Sequence, residues 1–308
     1  MDSRFVEIMD STLRDGEQTN GVSFLPHEKL MIARMLLRDL NVDRIEVASA
    51  RVSEGEKDAV KMICRYARQI DRLDRVEVLG FVDGGRSVDW IADCGGMVIN
   101  LLAKGSLRHC TQQLGKTADE HIDDIRRTIG HARSRGLSVN LYLEDWSDGM
   151  KDSPHYVYQL MDALVGVGNV RRFMLPDTLG IMNPLQCVEY FRKMVKRYPG
   201  THFDFHAHND YDLAVSNSLA AVLSGARGLH VTVNGLGERC GNAPLSSVQV
   251  ILKDQFHART NIREDKLNDI SRLVEGYSGI AIAPNQPIIG DNVFTQSSIR
   301  RTTPFMRL

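Results

Sequence analysis

Residues 202–212 read HFDFHAHNDYD. In an extended strand successive side chains alternate faces, so His206 and His208 at i and i+2 point the same way. The pair is either two metal ligands or two polar residues in a strand that carries imidazoles. Which reading holds depends on where the strand lies in the fold.

Working outward, strand-like runs recur at 6–10 (VEIMD), 44–49 (RIEVAS), 76–82 (VEVLGFV), 97–102 (MVINLL), 138–144 (SVNLYLE), 171–177 (RRFMLPD), 202–208 and 229–235 (LHVTVNG). Between them lie stretches with apolar residues near 3.6-residue spacing, among them PHEKLMIARMLLRDL, SEGEKDAVKMICRYARQI, ADEHIDDIRRTIGHARS, NPLQCVEYFRKMVKRY and YDLAVSNSLAAVLSGA. Pro26 and Pro184 suit first helical turns, and Asn183 suits an N-cap. Strict β/α alternation through eight strands predicts an α/β fold, a (β/α)8 TIM barrel. A doubly wound open sheet is the alternative, but no GxGxxG follows the first strand.

A barrel demands that chemistry gather at the C-terminal ends of its strands. Strand 1 runs into DSTLRDGEQ, strand 5 into EDWSDG, strand 6 into PDTLG, strand 7 into HAHND and strand 8 into NGLGERCGN. The N-terminal ends of the strands offer nothing comparable on this reading. Past residue 255 the alternation stops: a helix over DKLNDISRLVEGYSG is followed by the loop-like IAIAPNQPIIGDNVF and a basic tail, SSIRRTTPFMRL. The expected organisation is a catalytic barrel over 1–256 and a short helical and loop C-terminal extension over 257–308.

The 308 residues are 43% hydrophobic and 25% charged, enough to bury a large core. Lys+Arg 38 against Asp+Glu 39 leaves a formal charge of -1, so no global field draws in nucleic acid or an anionic membrane. No apolar run approaches the roughly 18 to 20 residues of a membrane helix, and MDSRFVEIMD lacks a signal-peptide layout, so a cytoplasmic protein is expected. Five scattered cysteines without a CxxC argue against a disulfide framework or a zinc knuckle. Any metal is then held by oxygen and imidazole.

At the end of the seventh of eight strands, His206 and His208 face the barrel mouth. Asp15, just past strand 1, can add an oxygen ligand, or be a turn residue before Gly16. Asn242 can add a carbonyl oxygen. Two imidazoles, a carboxylate and open positions suit a divalent ion, Mg, Mn, Zn or Co. Arg14 is a candidate for binding a carboxylate or enolate oxygen, or for an ion pair with Glu46. Glu144 is the best internal carboxylate for acid–base work, or an N-cap contributor. Thr178 can hydrogen-bond a substrate carboxylate, or serve its turn. The loop 235–242, GLGERCGN, is no phosphate loop, since no Lys-Ser/Thr follows. Its glycines are expected to let backbone approach a ligand, and Glu238 and Arg239 to pair.

DSTLRDGEQTNGVSF, PDTLGIMNP, HFDFHAHNDYDLAVSNSLAA and VNGLGERCGNAPL together resemble the DRE-TIM metallolyases. The resemblance is to the branch that condenses an acyl-CoA with a 2-oxoacid, the 2-isopropylmalate, homocitrate and citramalate synthases. It runs collinearly from residue 5 to about 294, and RIEVASARVSEGEKDAV, LGFVDGGRSVDWI, NLLAKGSLRHC and VNLYLEDWSDGMKDSP look most like the citramalate type. It implies an acyltransferase of branched-chain amino-acid biosynthesis, a homodimer, with acetyl-CoA and a small 2-oxoacid as substrates. It implies Asp15, His206 and His208 as metal ligands with Asn242 nearby, Arg14 on the oxoacid and enolate oxygens, Thr178 on the carboxylate and Glu144 as an active-site acid.

Leu79, Leu102 and Tyr142 match the positions that wall the oxoacid's side-chain pocket, or are plain barrel core. Two leucines and a tyrosine favour the methyl of pyruvate over the isopropyl of 2-oxoisovalerate. The other readings are a 2-isopropylmalate synthase, a retro-aldol lyase of the same superfamily, and an inactive form. The last arises because the resemblance implies a subdomain after QPIIGDNVFTQ that supplies a His and a Tyr to acyl-CoA activation. The sequence runs instead into SSIRRTTPFMRL, so 257–308 is expected to be a remnant of that subdomain.

Overall fold

The computed structural model describes residues 4–295, so the tail 296–308 lies outside the described residues. Eight parallel strands close on themselves in sequence order: β1 (Glu7–Asp10), β2 (Arg44–Ser49), β3 (Val76–Phe81), β4 (Val98–Lys104), β5 (Ser138–Glu144), β6 (Val170–Asp177), β7 (Phe203–Ala207) and β8 (Gly228–Val231). The pairing of Glu7 with Gly228 through Asp10 with Val231 shuts the ring. The fold is the expected TIM barrel.

Around it run α1 (Pro26–Arg34), α2 (Glu54–Gln69), α3 (Arg86–Asp93), α4 (Ala118–Ser134), α5 (Trp146–Asp152), α6 (Pro154–Leu164), α7 (Pro184–Arg197), α8 (Ala214–Ser224), α9 (Leu245–Asp254) and α10 (Leu267–Ser278). Pro26 and Pro184 open their helices, and the Asn183 side chain accepts from the Gln186 N–H. Among the described residues no helix is long and apolar enough to cross a membrane.

The main core lies outside the ring, where Ile8, Val47, Val78, Leu101, Leu141 and Phe205 meet helix residues such as Leu36, Ile63, Ile125, Leu160 and Phe191. Each such side chain contributes about 1.5–3 kcal/mol through burial. Leu267, Ile270 and Val274 of α10 join the same core, so α10 packs as part of the barrel's shell although it lies past residue 256.

Two strand ends differ from the sequence reading. Residues 229–235 do not form one strand: β8 stops at Val231, and Asn234 adopts φ 58 within a short turn. There the Thr12 hydroxyl accepts the Val233 N–H, at 2.8 Å. β7 stops at Ala207, and His208 instead joins Asn242 by an isolated antiparallel bridge.

The larger correction concerns the N-terminal ends of the strands, which carry a dense ionic floor inside the ring. Arg44 Nη2 donates to Asp204 Oδ2 at 2.5 Å and Nη1 to Glu77 Oε1 at 3.1 Å, while Arg172 Nη1 donates to Glu7 Oε2 at 2.5 Å. Burial alone would raise the Asp204 carboxyl, but Arg44 and Arg172 reverse this and hold it well below the usual carboxylate range. Each of these groups reads in sequence as an ordinary polar position in an alternating strand. Above the floor Met9, Leu79, Tyr142 and Met174, with Leu102 against them, form a small apolar cluster separate from the main core.

Candidate active site

Past β1 the chain turns sharply, because the Ser11 carbonyl accepts the N–H groups of Arg14, Asp15 and Gly16 and Asp10 Oδ1 accepts that of Thr12. The turn delivers Asp15 across the mouth to the histidines of strand β7. His206 Nε2 lies 3.0 Å and His208 Nε2 3.7 Å from Asp15 Oδ2. The two Nε2 atoms are 3.3 Å apart. An ion with bonds of ~2.1 Å sets neighbouring ligand atoms about 3 to 3.4 Å apart.

Asp15, His206 and His208 form one buried cluster of metal-ligating type. Asp15 Oδ1 and Asn242 Oδ1 are buried without a hydrogen-bond partner among the described residues. A buried orphan acceptor is costly unless a cation or donor meets it. Burial would raise the Asp15 carboxyl, yet Arg14 and the His206 hydrogen bond hold it well below the usual range. Burial, reinforced by His206, pushes the His208 imidazole down to about 4, so it is neutral near pH 7 with a lone pair to offer. These residues fit a divalent ion.

Arg14 pairs with Glu46 and faces the cavity at the same time. Its Nε donates to Glu46 Oε2 at 2.6 Å while Nη1 sits 3.5 Å from Asp15, and the side chain lines the central cavity. Glu46 is held in turn by Ser11 Oγ and by Asn100, which accepts from Asn140. Burial would lower the guanidinium's pKa, but Glu46 and Asp15 raise it, so Arg14 stays charged.

Across the cavity Thr178 Oγ1 accepts from the Asp145 N–H at 2.9 Å. Glu144 pairs with Lys104. The cavity, about 250 Å³, is lined by Arg14, Asp15, Leu79, Leu102, Tyr142, Glu144, Thr178, His206 and His208. Asn242 lies one step behind, 1% exposed, its Nδ2 donating to the Leu236 carbonyl. Sequence reasoning missed Gln18, Ser49, Phe81, Pro176 and Glu238 on the same wall. Phe81, two residues past Leu79 on β3, was legible by strand alternation.

The loop 235–242 serves its own closure. A Cβ on Gly237 (φ +157) would meet Asn242 Nδ2 at 2.2 Å, and one on Gly241 (φ +84) the Gly235 carbonyl oxygen at 2.0 Å. The glycines at 237 and 241 therefore let the loop fold back on itself and seat Asn242. Arg239 does contact Glu238 at 3.3 Å, but its shorter bonds go to Asp210, at 2.7 and 2.9 Å, and to the Thr178 carbonyl, at 2.7 Å. The loop is tied across the mouth to β6 and β7. A larger cavity, about 440 Å³, lies by Gly84, Gly85 and α4. Its basic side chains already have partners, Lys116 and Arg127 with Asp124, while His131 Nε2 lies 2.9 Å from Asp89 Oδ1.

The chain belongs to the HMGL-like family, which it matches over residues 5–274. It is 38% identical over 295 residues to a probable 2-isopropylmalate synthase of Ignicoccus hospitalis, covering 95% of this chain and 71% of that protein. It is 36% identical over 293 residues to the (R)-citramalate synthase CimA of Methanocaldococcus jannaschii, covering 95% and 57%. The chain thus spans little more than half the length of the second relative. Among solved structures it is similar to the hydroxymethylglutaryl-CoA lyase of Pseudomonas aeruginosa, with a TM-score of 0.78 at 17% identity over 92% of this chain and 96% of that one. That likeness is one of fold.

Proposed function

We propose that this chain is the catalytic barrel of an enzyme that condenses acetyl-CoA with a short 2-oxoacid, pyruvate before 2-oxoisovalerate, and releases CoA. The observation that carries this reading is the single cavity in which Arg14, Thr178 and the Asp15–His206–His208 cluster meet an apolar wall. The relatives named as citramalate and 2-isopropylmalate synthases supply the class of reaction.

Asp15, His206 and His208, with Asn242 beside them, would hold the divalent ion, Mn, Mg, Zn or Co, which supplies a Lewis acid for the ketone oxygen. Glu46 occupies Arg14 Nε, which leaves the outer guanidinium nitrogens to steady the oxygen on which charge develops. Thr178 Oγ1 already accepts from Asp145, so its proton is free for the substrate carboxylate. Leu79, Leu102 and Tyr142 close around the acid's side chain, and one methylene in such a pocket is worth about 1–3 kcal/mol of discrimination. Glu144, held by Lys104, orients a water or relays a proton as the thioester is released. A cytoplasmic homodimer, with 257–308 as an extension of the barrel, completes the reading.

Thiol release from acetyl-CoA over a panel of 2-oxoacids, with and without added Mn²⁺, tests it. Release should require both metal and oxoacid and be fastest with pyruvate. Thiol release without any oxoacid would refute the condensation.

A further inference from the structure

Beneath the cavity wall runs a line of hydrogen bonds that the proposed reaction does not use. Tyr142 Oη lies 2.9 Å from His230 Nδ1, and His230 Nε2 lies 3.2 Å from Asp204 Oδ2. His230 and Asp204 are each 1% exposed or less. The line joins the ionic floor to a residue that lines the cavity.

The protons on this line are fixed by their neighbours. Asp204 receives Arg44 at 2.5 Å and His202 at 2.9 Å and is held ionised, so it can only accept. His230 Nε2 must therefore carry a hydrogen. The other ring nitrogen, Nδ1, is the one that meets the Tyr142 hydroxyl, so that hydroxyl is engaged by the line from the floor rather than left free. The Tyr142 ring stands perpendicular to His206, centroids 6.1 Å apart, and nearly so to His230, at 5.5 Å.

We propose that His230, itself anchored by Asp204, is the positioning residue that locks Tyr142 as the size-limiting wall of the oxoacid pocket. The inference rests on the proposed condensation for its kinetic readout only. The wall's rigidity is what lets a tyrosine discriminate by size: a ring free to swing would admit the larger side chain. Tyr142, with its hydroxyl turned away, also leaves Arg14 and Thr178 as the donors that orient the acid.

Two isosteric substitutions separate positioning from general stability. His230→Asn keeps an acceptor near the Nδ1 position and loses Asp204, whereas His230→Gln keeps a donor to Asp204 and loses the tyrosine. The ratio of kcat/KM for pyruvate to that for 2-oxoisovalerate should fall about tenfold in His230→Gln and hold within about threefold in His230→Asn. Tyr142→Phe should lower the ratio, and adding His230→Gln to it should change nothing more. Equal ratios in all variants, or independent additive effects in the double variant, would overturn the proposal.

A second readout needs no turnover. In the ¹⁵N spectrum of the histidine side chains the His230 Nδ1 resonance should shift in Tyr142→Phe. A resonance that Tyr142→Phe leaves unmoved would refute the line of bonds. If condensation fails while this shift is seen, the functional reading falls and the positioning of Tyr142 stands.

Discussion

The floor and the mouth of this barrel are built from the same kinds of side chain to opposite ends. On the floor Arg44 and Arg172 meet Glu7, Glu77 and Asp204, so opposite charges close on one another although Arg44 Nε and Arg172 Nε are left without a hydrogen bond among the described residues. At the mouth Asp15 Oδ1 and Asn242 Oδ1 are equally buried but have no hydrogen-bond partner among the described residues. Buried polar groups are therefore not a site by their presence alone. What marks a site is convergence on a point that the protein does not itself fill.

The largest expected effect breaks the floor. Arg44→Met leaves Glu77 and Asp204 buried with too little positive charge and should cost about 3–5 kcal/mol of stability by denaturant titration. The mouth should respond in the other currency. Asp15→Asn should weaken Mn²⁺ binding at least 100-fold, about 2.7 kcal/mol by calorimetry. Its metal-free unfolding midpoint should fall, because the contacts with Arg14 and His206 that hold the carboxyl low are lost with the charge, and added Mn²⁺ should raise the midpoint of the parent only.

Between floor and mouth, Tyr142→Ala should move the ratio of kcat/KM toward 2-oxoisovalerate about tenfold, about 1.4 kcal/mol. No gain for the larger acid would mean that Tyr142 does not limit the pocket. The smallest effect concerns His121, whose Nε2 accepts the Lys104 N–H at 3.0 Å and whose imidazole burial pushes down to about 4. A folded pKa below the unfolded one means that the unfolded chain takes the proton first. The stability from this group is therefore complete above about pH 6.5 and is lost as pH falls toward 4. In His121→Phe the loss of stability between pH 7 and 5.5 should be about 1 kcal/mol smaller than in the parent chain.

Much of the mouth was legible in the sequence, because local rules write it. Alternation put His206 and His208 on one face, and the barrel pattern placed Asp15, Glu144 and Thr178 at strand ends. The floor was not legible. Arg44 and Asp204 are 160 residues apart in the chain, and nothing local distinguishes them from solvated strand positions. The end of β8 was misread for a related reason: VTVN looks extended, but the Thr12 hydroxyl from the far end of the chain captures Val233 and turns it. Glu46 was foreseen as a partner of Arg14, but its support by Asn100 and Asn140 needed the closed ring.

Asp15, His206 and His208 are proposed to hold together a divalent ion against which a 2-oxoacid is bound. Visible absorption of the chain titrated with Co²⁺, then with pyruvate, tests it most directly. A stoichiometric ligand-field spectrum should develop in the parent chain, change on addition of pyruvate, and be lost in His208→Ala. A spectrum that His208→Ala leaves intact, or that pyruvate leaves unchanged, would contradict the account.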